Sequence, residues 1–304
     1  MKTEPVQFIG LGGTASGSGF VYTYLHEHPA TCIPKRPTRF FSDLERYQKG
    51  VLWYAAHFQS CKKAQVRGEV SYEYLADPAV ADRIAATVPR ARLLAVVCDP
   101  IERLYREYTR FTEQSTESPM SFASYIDTYP ESLQQGLFGK QLQTYFNLYS
   151  SVNLLVLVHE DRYRDPVRYI QHAYRFLEID DTFVPKALRG FAVVDPDNPP
   201  PRSWYLTLLR VVFFPIWLLR IDRAVAYAWH RVQPWLRRHL TPRDKTARVH
   251  PSAPPSLPID PELRSVLADY YAADVRTVSQ LLGRDLNAEW DIQRSTERLG
   301  TVSR

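Results

Sequence analysis

The stretch Gln7-Phe8-Ile9-Gly10-Leu11-Gly12-Gly13-Thr14-Ala15-Ser16-Gly17-Ser18-Gly19-Phe20 decides how this chain is read. Apolar residues run into a loop of Gly, Ser and Thr, and Val21-Tyr22-Thr23-Tyr24-Leu25 then resumes a helical pattern. Strand, small-residue loop and helix in that order build an anion cradle. Glycines let backbone N–H groups turn inward, and the N-terminus of the next helix adds partial positive charge. Neither common nucleotide motif fits. A Walker loop needs Lys and Ser or Thr after its last Gly, and here Phe20 and Val21 follow Gly19. A dinucleotide loop needs a third Gly where Ala15 stands. A plain strand-to-helix turn is the other reading of Gly17-Ser18-Gly19.

Working outward, strands alternate with helices. Val6–Leu11, Gln65–Val70, Arg92–Val97 and Val152–Val158 read as strands, the last two as apolar runs of the kind covered on both faces. Helical spacing marks Gly19–His28, Leu44–Gln59, Asp77–Val88, Ile101–Phe111, part of Tyr125–Tyr149, Asp165–Leu177 and Asp260–Leu282. This alternation predicts an α/β fold with a mostly parallel sheet and helices on both faces. Residues 1–300 are expected to form a single domain with a helical C-terminal extension.

With 304 residues and 45% hydrophobic content, the chain can bury a large core. A net charge of +5 suits an acidic substrate or anionic cofactor and is too small to argue for nucleic acid. Cys32, Cys61 and Cys98 lack metal-ligand spacing. The odd count argues against a disulfide framework and for a reducing, cytoplasmic setting, with a Cys32–Cys61 pair left open. The N-terminus shows no signal-peptide pattern. Ser203–Leu219 is apolar but interrupted by Arg210 and Pro215. It reads first as a lid helix, then as a membrane-surface contact through 203–240, then as a dimer contact. The oligomeric state is not set by the sequence.

Several motifs in one order carry a resemblance. Tyr22-x-Tyr24-Leu25-x-x-His28-Pro29 follows the Gly-rich loop, and Thr38-Arg39-Phe40-Phe41-Ser42-Asp43 precedes Gly50-Val51-x-Trp53-Tyr54. Gly68-Glu69-Val70-Ser71-x-x-Tyr74-Leu75 and Asp99-Pro100-Ile101-Glu102-Arg103-x-Tyr105 come next. Gly136-Leu137-Phe138-x-x-Gln141-Leu142, His159-Glu160-Asp161 and Leu281-Leu282-Gly283-Arg284-Asp285-Leu286 with Trp290 complete the set. Over nearly its whole length the chain resembles the sulfotransferases, nearest the bacterial carbohydrate or heparan sulfate type.

The resemblance implies a P-loop-like three-layer fold and transfer of a sulfuryl group from 3′-phosphoadenosine-5′-phosphosulfate to a hydroxyl or amine of a carbohydrate or small molecule, without a metal. It assigns the donor to Ser16, Gly17, Ser18, Gly19, Phe20, Arg103 and Arg106. It leaves catalysis to Arg39, with Asp43 or Glu69 as base. The chain departs from the family where the chemistry sits. Ala15 replaces the loop cation, Pro37 the usual carboxylate, Cys98 the Arg that opens the 3′-phosphate element, Arg106 its Ser, and Val70 the Lys after Glu69. Lys35 and Arg36 are alternatives to Arg39 for the missing cation. A catalytically degenerate protein that binds a nucleotide or glycan is the competing expectation.

Overall fold

A computed structural model describes residues 5–61, 64–114, 120–189 and 259–292. Five parallel strands form its centre: β1 (Phe8–Leu11), β2 (Thr31–Cys32), β3 (Val66–Ser71), β4 (Arg92–Val97) and β5 (Leu154–Val158). Their order is β2-β3-β1-β4-β5. Phe8 pairs in register with Gly68 on one side and Arg92 on the other, and Leu93 pairs with Leu154. β1 is therefore the switch point. The chain leaves it toward β2 and β3, then returns to its other side for β4 and β5. Open α/β sheets bind ligands at the C-terminal ends of strands at such a point.

β1 and most of β4 are sealed on both faces, as their unbroken apolar runs require. Ile9, Leu11, Leu93, Ala95 and Val97 point into a cluster with Tyr54, Leu142 and Tyr271. The opposite face is covered by α1 (Ser18–Glu27) and α10 (Pro166–Phe176), joined by the Tyr174 hydroxyl donating to the Tyr24 carbonyl at 3.0 Å.

Local chemistry sets the helix ends. Asp77 accepts from Ala79 N–H ahead of α4 (Pro78–Thr87), and Asp165 accepts from Arg168 N–H ahead of α10. Asp260 caps the long helix Pro261–Leu282 through Glu262 and Leu263 N–H. The expected helix Leu44–Gln59 is two short ones, α2 (Leu44–Gln48) and α3 (Gly50–Ala56). Gly50 at φ 81° makes the break. Tyr125–Tyr149 holds parts of α6 (Phe122–Thr128), α7 (Glu131–Gln134) and α8 (Phe138–Leu148).

Cys32 and Cys61 form a disulfide, with Cα atoms 5.6 Å apart. The odd cysteine count argues against a disulfide framework and leaves this pair open; it is formed, which removes that support for a reducing setting. The third cysteine, Cys98, is buried, and burial pushes its thiol up to about 12. By contact the chain divides into one unit over Met1–Pro185 and Pro251–Arg304 and another over Lys186–His250. Of the second, residues 186–189 are described, so the apolar segment 203–240 lies outside the described residues.

Candidate active site

The Gly-rich loop joins β1 to α1 and closes on itself. Ser16 N–H donates to the Gly13 carbonyl at 3.1 Å, and the Ser16 hydroxyl donates to the same oxygen at 2.9 Å. Gly13 N–H returns a bond to that hydroxyl at 3.2 Å. Ser16 thus shapes the loop. Ala15 and Gly17 both take left-handed backbone, with φ 59° and 91°. Gly17 is the N-cap of α1, no side chain caps that end, and no acidic residue lies in the first turn. The leading N–H groups of a helix have no intrahelical partner, so this end is an open donor cluster. A Cβ on Gly19 would meet nothing within 4 Å, whereas Ser18 and Phe20 are buried.

His159, at the end of β5, lies directly on Gly17. A Cβ at Gly17 would fall 1.7 Å from His159 Nδ1, so only glycine fits. Arg106 Nη1 contacts His159 Nε2 at 3.0 Å. Guanidinium can only donate, so Nε2 accepts and the proton of the neutral ring is on Nδ1. Burial, and then the Arg162 and Arg106 charges, push the His159 pKa down to about 2, which keeps the ring neutral. Nδ1 of His159 and Nη2 of Arg106 are buried without a hydrogen-bond partner among the described residues. Glu160 Oε2 is in the same condition, while its Oε1 accepts from Asp99 N–H at 3.2 Å. Burial raises Glu160 to about 7 and Asp99 to about 6.

The two expected phosphate arginines are separated by environment. Arg103 is fully buried, and Nη1 donates to the Thr14 carbonyl at 3.4 Å and to Glu107 at 2.8 Å. Its Nη2 donates to the Ser132 carbonyl. Arg103 therefore ties the loop to α5 (Pro100–Gln114) and to α7. Arg106, one turn later, stands on His159, which in turn packs on Gly17, and its Nη2 has no partner among the described residues; on Arg103 it is Nε that lacks one. His159 itself was missed in the sequence. Its signal was a histidine directly after an apolar strand at the sheet's C-terminal edge.

The acceptor-side residues form a second cluster. Glu69 is fully buried at the end of β3. It accepts from Thr38 N–H and the Tyr74 hydroxyl, both at 2.9 Å, and burial raises its pKa. Asp43 caps α2 through Arg46 N–H at 3.2 Å and pairs with the Arg46 side chain at 2.9 Å. Arg39 has φ 54° and pairs with Glu73 at 3.0 Å. Lys35 and Arg36 are exposed. Arg39, Asp43 and Glu69 thus meet in one loop region, with different surroundings for each.

This architecture has known counterparts. It aligns with a solved sulfotransferase from Alicyclobacillus acidocaldarius at TM-score 0.64 and 20% identity, over 94% of this chain and 98% of that one. The chain has the sulfotransferase fold. Its curated relatives are sulfotransferases as well. Identity is 32% over 105 residues with the membrane-associated sulfotransferase kil1 of Dictyostelium discoideum, covering 33% of this chain and 22% of that protein. It is 26% over 179 residues with the mouse heparan sulfate glucosamine 3-O-sulfotransferase 3B1, covering 56% of this chain and 45% of that protein. The chain thus spans less than half the length of either relative. No protein-family model matches it. Within the sulfotransferase fold, the Gly12–Phe20 loop occupies the strand-to-helix turn at the sheet's switch point.

Proposed function

We propose that the chain transfers a sulfuryl group from 3′-phosphoadenosine-5′-phosphosulfate to a hydroxyl or amine of a carbohydrate or small-molecule acceptor. One observation carries this reading. Two buried donors lack a partner among the described residues: His159 Nδ1–H, on the ring packed against Gly17 at the uncapped N-terminus of α1, and Arg106 Nη2–H, on the arginine that bonds His159. Buried polar groups are normally satisfied, so an unpaired pair at a helix N-terminus points to an anion. The backbone of Gly17, Ser18 and Gly19 would take the 5′-phosphosulfate. Arg106 would take the 3′-phosphate, with Arg103 holding the loop in shape. The heparan sulfate enzymes among the relatives support a carbohydrate acceptor.

The Cys32–Cys61 bridge suits an oxidising compartment better than the cytoplasm. Among the described residues no helix is long and apolar enough to cross a membrane. A peripheral membrane contact would rest on 203–240, outside those residues. Ala15, in place of the loop cation, favours a second reading in which the nucleotide binds without turnover.

Calorimetry with 3′-phosphoadenosine-5′-phosphate tests the site. Arg106→Ala should weaken that ligand roughly 10- to 150-fold and adenosine 5′-monophosphate far less, because a charged hydrogen bond contributes about 1.5–3 kcal/mol. Failure of the wild type to bind the bisphosphate would sink the reading. Binding without label transfer from radiolabelled donor to heparan sulfate or water selects the second one.

A further inference from the structure

We infer that Glu73 is the general base of the transfer, held in place by Arg39 and Ser71; this rests on the sulfotransferase reading above. The position comes from the sheet. Gly12 N–H donates to the Ser71 carbonyl at 3.0 Å, which locks the start of the anion loop to the end of β3. A Cβ on Gly12 would stand 3.0 Å from both Tyr72 Cα and Ser18 Oγ. Loop, α1 and the turn after β3 therefore converge, and Glu73 is the second residue of that turn.

Its carboxylate is fixed at both oxygens. Oε1 pairs with Arg39 Nη2 at 3.0 Å, and Oε2 accepts from the Ser71 hydroxyl at 3.0 Å. A carboxylate has about four lone-pair sites, so each oxygen can still accept a proton. Glu73 is 41% exposed, within reach of an acceptor. All three carboxylates of this region are bonded at both oxygens, and place separates them: Glu73 lies on the turn that touches the start of the Gly-rich loop, Glu69 is buried, and Asp43 sits at the start of α2. Glu69 is sealed with both oxygens bonded, and Asp43 is divided between its helix cap and Arg46.

The backbone at Arg39 supports the assignment. Left-handed geometry at a non-glycine residue costs on the order of 1 kcal/mol or more and survives only where neighbours enforce it. Thr38 N–H on Glu69, Phe40 N–H on the Thr38 hydroxyl at 3.1 Å, and Asp43 N–H on the Arg39 carbonyl at 3.0 Å do so. The result of that constraint is the guanidinium placed on Glu73. An ion pair this exposed adds little stability, so stability does not explain the arrangement.

In the step, the acceptor O–H proton passes to a Glu73 oxygen as the acceptor oxygen bonds to sulfur. The bond from sulfur to the bridging phosphate oxygen breaks, its electron pair stays on that oxygen, and 3′-phosphoadenosine-5′-phosphate leaves. Arg39 and Ser71 are positioning residues. Glu73→Gln keeps size and polarity and removes basicity. In the full chain, with radiolabelled donor and heparan sulfate, and with release to water followed in parallel, kcat should fall about 10²–10⁴-fold and the acidic limb of its pH profile should vanish. The bisphosphate Kd should stay within about twofold, and Glu73→Asp should recover part of the rate. Glu73→Gln retaining kcat within about threefold overturns the proposal, as does a loss of nucleotide affinity that matches the loss of rate. A wild type that binds the bisphosphate and turns over no donor overturns it while leaving the nucleotide site standing. A wild type that binds no bisphosphate overturns the sulfotransferase reading and this base with it.

Discussion

The two sides of the β1 switch point treat their acidic and basic side chains in opposite ways. On the β4–β5 side, Arg106, His159 and Glu160 each bury a polar atom with no partner among the described residues. On the β3 side, the carboxylates of Glu69, Glu73 and Asp43 are all bonded, and a disulfide closes the segment that carries Thr38–Asp43. An unsatisfied buried group costs about 1–3 kcal/mol, which a ligand can recover on binding. The first side is therefore built to gain from a ligand, and the second to hold side chains in place before one arrives. Electrostatic preorganisation of the second kind is where catalysis draws most of its strength.

The largest effect should come from removing the covalent constraint. Cys32 and Cys61 are 29 residues apart, and closing a loop of that size removes roughly 3–4 kcal/mol of unfolded-state entropy. Urea unfolding of the Cys32→Ser, Cys61→Ser double variant should show that loss, with unchanged affinity for 3′-phosphoadenosine-5′-phosphate. A parallel drop in affinity would mean the two sides are one mechanical unit, and the contrast would fail.

A smaller effect tests the other side. Burial raises Glu160 from 4.5 to about 7, so between those pH values the folded chain keeps a proton that the unfolded chain has released. The unfolded state binds fewer protons there, so stability is full below pH 4.5 and is lost as pH rises through 7. The expected loss is about 2 kcal/mol, allowing for coupling to Asp99. His159, held neutral in the folded chain, and Asp99 also titrate in this window, so the readout is the difference: the unfolding free energy of the wild type relative to Glu160→Gln should fall as pH rises from 4.5 through 7. A difference between the two proteins that stays constant with pH would show that Glu160 is solvated, and that this side lacks the buried, unsatisfied character assigned to it.

The fold was legible because its signals are local. Apolar runs such as Arg92–Val97, the Asp-Pro starts at Asp77 and Asp165, and the Gly17-Ser18-Gly19 turn each act within a few residues. The strand-to-helix turn through Gly12–Phe20 was legible for the same reason. What stayed hidden depends on long-range approach. The resemblance gives the 3′-phosphate to Arg103, with Arg106 one helical turn on as its helper. Their separation comes from Thr14 and Ser132, which the fold brings to Arg103, and from His159, which it brings to Arg106. Glu69 is a candidate base by the resemblance, and the Thr38 N–H and Tyr74 hydroxyl that bind its two oxygens are brought to it by the fold. Only the return of the Thr38 loop over β3 seals it. The odd cysteine count spoke against a framework, while the pairing of β2 with β3 and the end of α3 set Cys32 against Cys61.

The smallest predicted effect separates strain from stability at Arg39. Glycine accepts φ 54° freely, so Arg39→Gly removes a backbone cost of about 1 kcal/mol. It also removes the pair with Glu73, but those side chains are 58% and 41% exposed, and solvent screening leaves such a pair worth a few tenths of a kcal/mol. Glycine's greater freedom in the unfolded chain offsets part of the gain. The variant should therefore unfold within about 1 kcal/mol of the wild type, on the stable side if anything. Donor turnover should fall nonetheless, because Glu73 loses its fixed partner, while bisphosphate affinity stays level. Equal stability with reduced turnover would show the β3 side spending backbone strain on geometry. A clear loss of stability would instead make Arg39 a structural residue, and the preorganised character of that side would then rest on Glu69 and the disulfide alone.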